Sequence, residues 1–520
     1  MEARGTSISP ENFETEFQGR ESIDAPSVLS SMKSFLRTFW IRVLTISTAL
    51  VIPCLWHQSI EAGDLASHEY NAWLAHLIQT GHAPGLFLAR QWNNVLFDFA
   101  LSGVGNLVGL HIAEMLVTSA AVLIFFWGAF AFVSAILRRV SWPVCIALAV
   151  FAYGWTFQIG FMNYYISVGL ALWGLAIVTS GRGWERCLAI ILFPLIWMAH
   201  PLGAMLLVGA AAYIIIAGYL SPKFQLSTFA LAALGLLIVH YFLAWRVHHV
   251  VWDNGHYGIN WISVPRVFLD GFDQLMVYGR QNLIPSYLFR ILFLAAMVMG
   301  VIQQRRTPRW WSTFLLPAQL YCLSVLAAAL LPTGVRFPWY GAPLELLTER
   351  LTLVSTVLIC CLIGAARPRK WLVFCLAVVA AIYFFQIYKD TGIYNRTENQ
   401  IAAMVRTIPP GERVLATFRM LPGARMSLVH MVDRACIGQC FAFENYEPSS
   451  KQFRVRAREE NNIVMFDRRK VMDAEGGKYV VQPQDLPIFE IYQCDGSLTA
   501  ICMRELKVGE MNEPIQVPLR

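Results

Sequence analysis

Apolar segments long enough to cross a bilayer constrain this chain more than any other feature. A helical crossing of about 30 Å of hydrocarbon needs about 17–25 apolar residues. Such stretches occur at 36–56, 107–136, 142–159, 163–180, 187–200, 202–220, 226–246, 287–303, 311–331, 348–365 and 371–388, with a break at His200-Pro201 between two of them. Only 14% of the 520 residues are charged, against about 25% in soluble domains. In lipid each backbone amide needs an internal partner, which a helix supplies. The expected fold is an all-α polytopic membrane protein of about eleven transmembrane helices, with a small α/β or α+β C-terminal domain.

Charge between the spans orients them. Arg138-Arg139, Arg182 with Arg186, Lys223, Arg305-Arg306 with Arg309, and Arg367 with Arg369-Lys370 occupy alternate loops. Cytoplasmic loops carry such an excess of Lys and Arg. The N-terminus is then cytoplasmic, and 57–106, 247–286, 332–347 and 389–520 lie outside. The net charge of +7 resides largely in these loops, which argues against nucleic acid as a partner. No small-residue cleavage site follows the first apolar stretch, so it is expected to remain as an anchor. Three regions result: a flexible cytoplasmic leader (1–35), a multi-pass membrane domain (36–390) and an external C-terminal domain (391–520).

In the C-terminal region 413–418, 478–482, 488–492 and 498–502 are short β-branched and aromatic runs bounded by Gly, Pro or Asp, and read as strands. Seven cysteines lie in or beside apolar spans, where they pack as small hydrophobes. Cys436, Cys440, Cys494 and Cys502 lie in the tail, an even set that suggests two disulfides. Pairing 436–440 with 494–502 is simplest, although four cysteines allow three connectivities. The rival reading is a metal site, which the spacing between the second pair disfavours.

The loop 57–106 is too long for a plain connection and too rich in aromatic and aliphatic residues to be disordered. Glu61, Asp64, His68 and Asn71 recur at spacings of three and four, so a helix places them on one face. Leu65, Ala72, Trp73 and Leu77 flank that face. A helix so divided lies at the interface with its acids turned to a cavity, and ionisable groups at a membrane boundary usually mark function. Asp64 is the leading acid, with His68 and Glu69 beside it; ordinary solvated acids on an interfacial helix are the alternative. Asp98 is a second carboxylate, for which capping or orienting Arg90 serves equally well. Trp92 suits an interfacial belt.

Asn163 and His200 fall at outer ends of spans, where His200 before Pro201 can also be a structural histidine. Arg336 and Arg350 lie on the outer side, against the positive-inside tendency. Each needs a partner, either Glu345 or Glu349, or a phosphate matched by the planar guanidinium. His248, His249, Asp253 and His256 form a metal-like set whose spacing matches no standard ligand motif, so a divalent metal is conceivable but not indicated. Phe441 to Pro448 with Arg454, Arg456 and Arg458 suits a surface near anionic headgroups or a sugar-phosphate contact. Asn395-Arg396-Thr397 is a glycosylation triplet in form only.

The architecture and the segment Gly63-Asp64-x3-His68-Glu69-Tyr70 resemble the C-type glycosyltransferase superfamily, distantly the protein O-mannosyltransferases and aminoarabinose transferases. In mannosyltransferase-like members this loop carries adjacent Asp-Glu, whereas here Asp64 and Glu69 are apart. The resemblance implies transfer of sugar from a polyprenyl-phosphate carrier to an acceptor outside the cytoplasmic membrane. It implies Asp64 as base on the acceptor hydroxyl, Arg336 or Arg350 at the lipid phosphate, and Trp73 and Trp92 against sugar or the interface. The competing class is a non-enzyme: a transporter, a lipid flippase, or an envelope assembly protein with a degenerate transferase-like fold. Transporters gather charge near mid-membrane, whereas polar residues here collect at one surface.

Overall fold

Helices with apolar residues on all sides build most of the chain. The computed structural model describes residues 25–246, 258–260, 270–279, 282–306, 308, 310–336, 344–418, 428–494 and 500–512. The described residues fall into two compact units, divided after Ile52. The first carries α1 (Ala25–Val51). The second opens with α2 (Leu65–Gln79), β1 (Leu86–Leu88), α3 (Leu96–Val108), α4 (Leu110–Leu137), α5 (Val144–Ala152), α6 (Trp155–Gln158) and α7 (Met162–Ser180). There follow α8 (Phe193–Ala199), α9 (Pro201–Tyr219), α10 (Pro222–Arg246), β2 (Gly258–Asn260), α11 (Leu283–Gln304), α12 (Ser312–Leu330), β3 (Gly334–Arg336), α13 (Leu347–Ala366) and α14 (Lys370–Val405).

Among the described residues nine helices are long and apolar enough to cross a membrane: α1, α4, α7 and α9 to α14. Two of the eleven expected spans are built differently. The stretch 142–159 breaks at Gly154, whose backbone is extended, into α5 and α6. The Gln274 side-chain oxygen accepts from the Thr156 amide at 2.9 Å and so satisfies a donor exposed by the break. The stretch 187–200 is a 3-10 helix, Gly183–Leu192, followed by the short α8. Pro194 lies in the first turn of α8, and proline blocks the preceding turn from continuing as α-helix. The expected boundary at 390–391 is not a break, because α14 runs unbroken across it for 36 residues, Lys370–Val405. At 1.5 Å per residue that is about 54 Å, well beyond a hydrocarbon core.

The remaining elements are β4 (Arg413–Thr417), α15 (Val429–Cys436), β5 (Phe441–Ala442), α16 (Tyr446–Ser450), β6 (Val455–Ala457), α17 (Arg468–Glu475), β7 (Ile488–Gln493) and β8 (Ile501–Leu506). They include a mixed sheet of order β5-β4-β7-β8, in which β4 runs parallel to β5 and β7 while β8 is antiparallel to β7. Leu415, Val471, Ala474, Val481, Ile488 and Leu506 fill the core beside it. The expected strand at 478–482 forms only a bridge from Val480 to Met511. Cys436 is bonded to Cys440, and Cys494 to Cys502. The tail is also stitched to the first loop, since β1 pairs antiparallel with β6.

The strongest link between tail and helices is ionic. Arg434 on α15 donates from Nε to Glu69 at 2.8 Å and from Nη1 to both oxygens of Glu398 at 3.0 and 2.9 Å. Its Nη2 reaches Glu114 at 2.6 Å and the Ile60 carbonyl at 3.1 Å. All five guanidinium protons are used, on partners from α2, α4 and α14. Glu61 lies against the same cluster and is 3% exposed. Burial, then repulsion from Glu398, holds its carboxyl well above the usual range, which favours its protonated form beside the ion pairs.

Removing one member of a buried ion cluster costs about 3–5 kcal/mol, because its partners remain buried and unpaired. Arg434→Met is therefore expected to lower resistance to denaturant unfolding in detergent by that amount, and Arg434→Lys to recover little, since an ammonium lacks the planar fork. Glu61 has a second signature. Its raised folded pKa contributes stability below the ordinary value of 4.5, and that contribution falls as pH rises through the folded value. Thermal midpoints measured from acid to alkaline pH should decline less steeply in Glu61→Gln than in the wild type.

Candidate functional site

A cavity of about 1830 Å³ lies where α2, α7, α9, α13 and the tail meet. Asp64 enters it from the N-terminal end of α2. A close backbone crossing sets its position: the Asp64 amide donates to the Ile159 carbonyl at 2.9 Å. Two glycines with positive φ permit this, Gly63 at +21° and Gly160 at +85°. A Cβ on Gly63 would strike Ile159, and one on Gly160 would strike the Asp64 amide. Asp64 keeps 26% of its side chain exposed, and its Oδ1 lies 3.5 Å from His430 Nε2. His430 in turn contacts Asp433 through Nδ1 at 2.8 Å. Burial depresses the imidazole pKa, but Asp433, Asp64 and Glu475 outweigh it and raise it to about 9.

His68, one turn further along α2, forms a second chain. Its Nδ1 contacts Asp98 at 2.8 Å, and the other Asp98 oxygen accepts from Asn163 at 2.8 Å. Asn163 then accepts from the Phe97 amide at 2.8 Å. Asp98 and Glu447 raise the His68 pKa to about 9 against the opposing effect of burial. Burial is also the main influence on Asp98, yet His68 and Asn163 overcome it and lower that pKa. Glu447, 4.0 Å from His68 Nδ1, moves the other way, raised to about 8 by burial and by Asp98 and Asp64 against the pull of His68. Two neighbouring carboxyls are thus held in opposite protonation states, with Asp98 ionised and Glu447 able to keep its proton at neutral pH.

The opposite wall carries cations. Arg350, in the first turn of α13, lies with its guanidinium 4.0 Å from the Phe161 ring centroid. Its Nη1 is 3.3 Å from His200 Nε2. His200 Nδ1 accepts from the Leu202 amide at 3.1 Å, so Nδ1 is unprotonated and the ring proton sits on Nε2. Two N–H donors therefore face each other with no acceptor between them. Arg350 Nε is buried and unpartnered as well. The Arg350 guanidinium and the His200 Nε2–H thus lie side by side at this wall, an arrangement suited to an oxyanion. Arg336, on β3, lines the same cavity.

The structure brings Asp64, His68, Asn163, His200, Arg336 and Arg350 to one cavity, with Asp98 directly behind His68. It engages others elsewhere. Glu69 is turned to Arg434, and Trp73 stacks 5.8 Å from Phe441. Glu61 precedes α2 and joins the Arg434 cluster, while Asn71 pairs with Asn445 at 2.9 Å. The four-residue face expected on α2 is thus reduced to Asp64 and His68. Glu349 accepts from the Thr348 hydroxyl at 2.9 Å. Among the described residues no group of His, Cys, Asp and Glu is placed to hold a metal ion; the set at 248–256 lies outside the described residues.

Sequence reasoning missed His430 and Asp433, and took Tyr446 and Glu447 only as part of the polar aromatic stretch 441–448. The spacing of His430 and Asp433, three apart with Arg434 following, was the available cue. No family model, curated protein or solved structure matches the chain.

Proposed function

We propose that this chain is a membrane glycosyltransferase that moves a sugar from a polyprenyl-phosphate carrier to an acceptor on the external face of the cytoplasmic membrane. The observation that supports this reading is the shared cavity, with the Asp64 carboxylate at one side and the Arg350 guanidinium beside His200 at the other. A phosphate group fits those donors. Apolar residues beside them, including Pro201, Leu202 and the 68%-exposed Met205, offer a surface for a prenyl chain.

In the reaction an acceptor hydroxyl bonds to the anomeric carbon while the bond from that carbon to the phosphate oxygen breaks. Asp64 takes the hydroxyl proton as the new bond forms. The departing lipid phosphate gains one negative charge, which Arg350 and His200 Nε2–H stabilise from positions already set. Arg336 adds a second positive charge to the wall. The basic loops support an orientation with this cavity outside.

The test uses full-length protein in nanodiscs and a panel of labelled polyprenyl-phosphate sugars. Asp64→Asn should lower the transfer rate by about 100- to 10,000-fold, the range of a positioned base. Arg350→Met should lower it by about 100- to 1,000-fold, as loss of a charge-stabilising donor does. Correctly inserted wild type that transfers from no donor, or Asp64→Asn at full activity, overturns the reading.

A further inference from the structure

His430 touches the proposed base, yet it lies on the tail, 366 positions away in sequence. Both of its nitrogens face carboxylates: Nδ1 is hydrogen-bonded to Asp433 at 2.8 Å, and Nε2 lies at ion-pair distance from Asp64 Oδ1, 3.5 Å. The ring is held on its other sides as well. Tyr446 of α16 packs 5.5 Å from it, and Glu475 of α17 adds a negative field.

The helix that presents it is short. At eight residues, α15 is too short to be stable alone. Arg434 anchors it to three glutamates, and the Cys436–Cys440 disulfide closes its C-terminal end. His430 is therefore carried on a secured element, as a group that fixes another side chain must be.

We propose that His430 is a positioning residue for Asp64: backed by Asp433, it holds one carboxylate oxygen and leaves the other for the acceptor hydroxyl. This rests on the glycosyltransferase reading. A bidentate imidazolium between two carboxylates restricts rotation of the Asp64 carboxylate, and orientation of a base to within hydrogen-bond reach governs its rate. The proposed site is then incomplete without the tail. The groups that face His430 are Asp433 on its own helix, Asp64 at the start of α2, Tyr446 and Glu475; Arg468, over the far side of Tyr446 at 5.7 Å, is the nearby cation.

Full-length variants in nanodiscs test it. His430→Ala is expected to lower kcat by about 10- to 100-fold, a loss of orientation, with the donor KM little changed. His430→Gln keeps an amide donor and should recover most of that loss. The imidazolium persists below about 9, so wild-type kcat should fall as pH rises through that value, and this limb should vanish in His430→Gln. Equal loss in both variants with unchanged pH profiles would indicate a structural part only and overturn the proposal. A second measurement needs no turnover. The His430 ring signal followed by NMR should titrate at lower pH in Asp64→Asn. A wild type inert toward every donor defeats the glycosyltransferase reading, whereas a His430 titration unmoved by Asp64→Asn defeats the pairing itself.

Discussion

Arg434 is the interaction on which the rest of the structure depends. One guanidinium satisfies its five protons on Glu69, Glu114, Glu398 and the Ile60 carbonyl, and so ties α2, α4, α14 and α15 together. A buried cluster of this kind is weak evidence of net stability, because desolvation offsets much of the attraction. Its effect here is on register. Buried Met431, Val432 and Cys436 set the apolar face of α15, and a planar fork with five specified acceptors fixes its register more sharply. Asp433 and His430 follow from that rotation, and Asp64 follows from the placement of α2.

The second constraint is the crossing of the Asp64 segment over Gly160. A carboxylate on a loop of ordinary freedom would sweep several ångströms. Here the amide of Asp64 is tied to Ile159, and the space a Cβ would need at Gly63 or Gly160 is already occupied. The side chain retains only its own torsions. His430 removes part of that remaining freedom. Precision at the site thus comes from backbone contact first and side-chain pairing second.

Much of the architecture was legible in local pattern. Apolar length marked the nine helices, among the described residues, that are long and apolar enough to cross a membrane, and the spacing after Gly63 marked the helix carrying His68 with Asp64 at its start. Local pattern failed where a single residue or a distant partner decided the outcome. Gly154 and Pro194 interrupt stretches whose apolar content alone reads as continuous. Glu114 sits in a strongly apolar helix and looks like an isolated defect until Arg434, 320 positions later, reaches it at 2.6 Å. Glu69 read as a site acid for the converse reason: its sequence neighbours are site residues, but its side chain leaves the other side of α2. His430 had only Asp433, three residues on, to single it out, and nothing in that spacing pointed to Asp64. Contacts spanning hundreds of residues leave no periodic trace, and they assemble half of this site.

The cavity's electrostatics explain why its two walls can serve different charges. Asp64 lies between positively charged neighbours, His430 on the tail and the Arg350 wall opposite, yet it remains partly open to the cavity. Arg350 and His200 present N–H groups side by side, and Arg350 Nε is buried without a partner. Unmatched donors cost free energy in a folded protein, typically about 1–3 kcal/mol each when buried. Such a cost is tolerated where a ligand removes it, and the benefit is then specific to a ligand that accepts hydrogen bonds from that side. A sugar hydroxyl can accept one; a phosphate accepts several with its full charge. The arrangement therefore favours the anion at the Arg350 wall and the neutral hydroxyl at Asp64. This polarity sets the direction in which a phosphate-linked sugar would lie across the cavity.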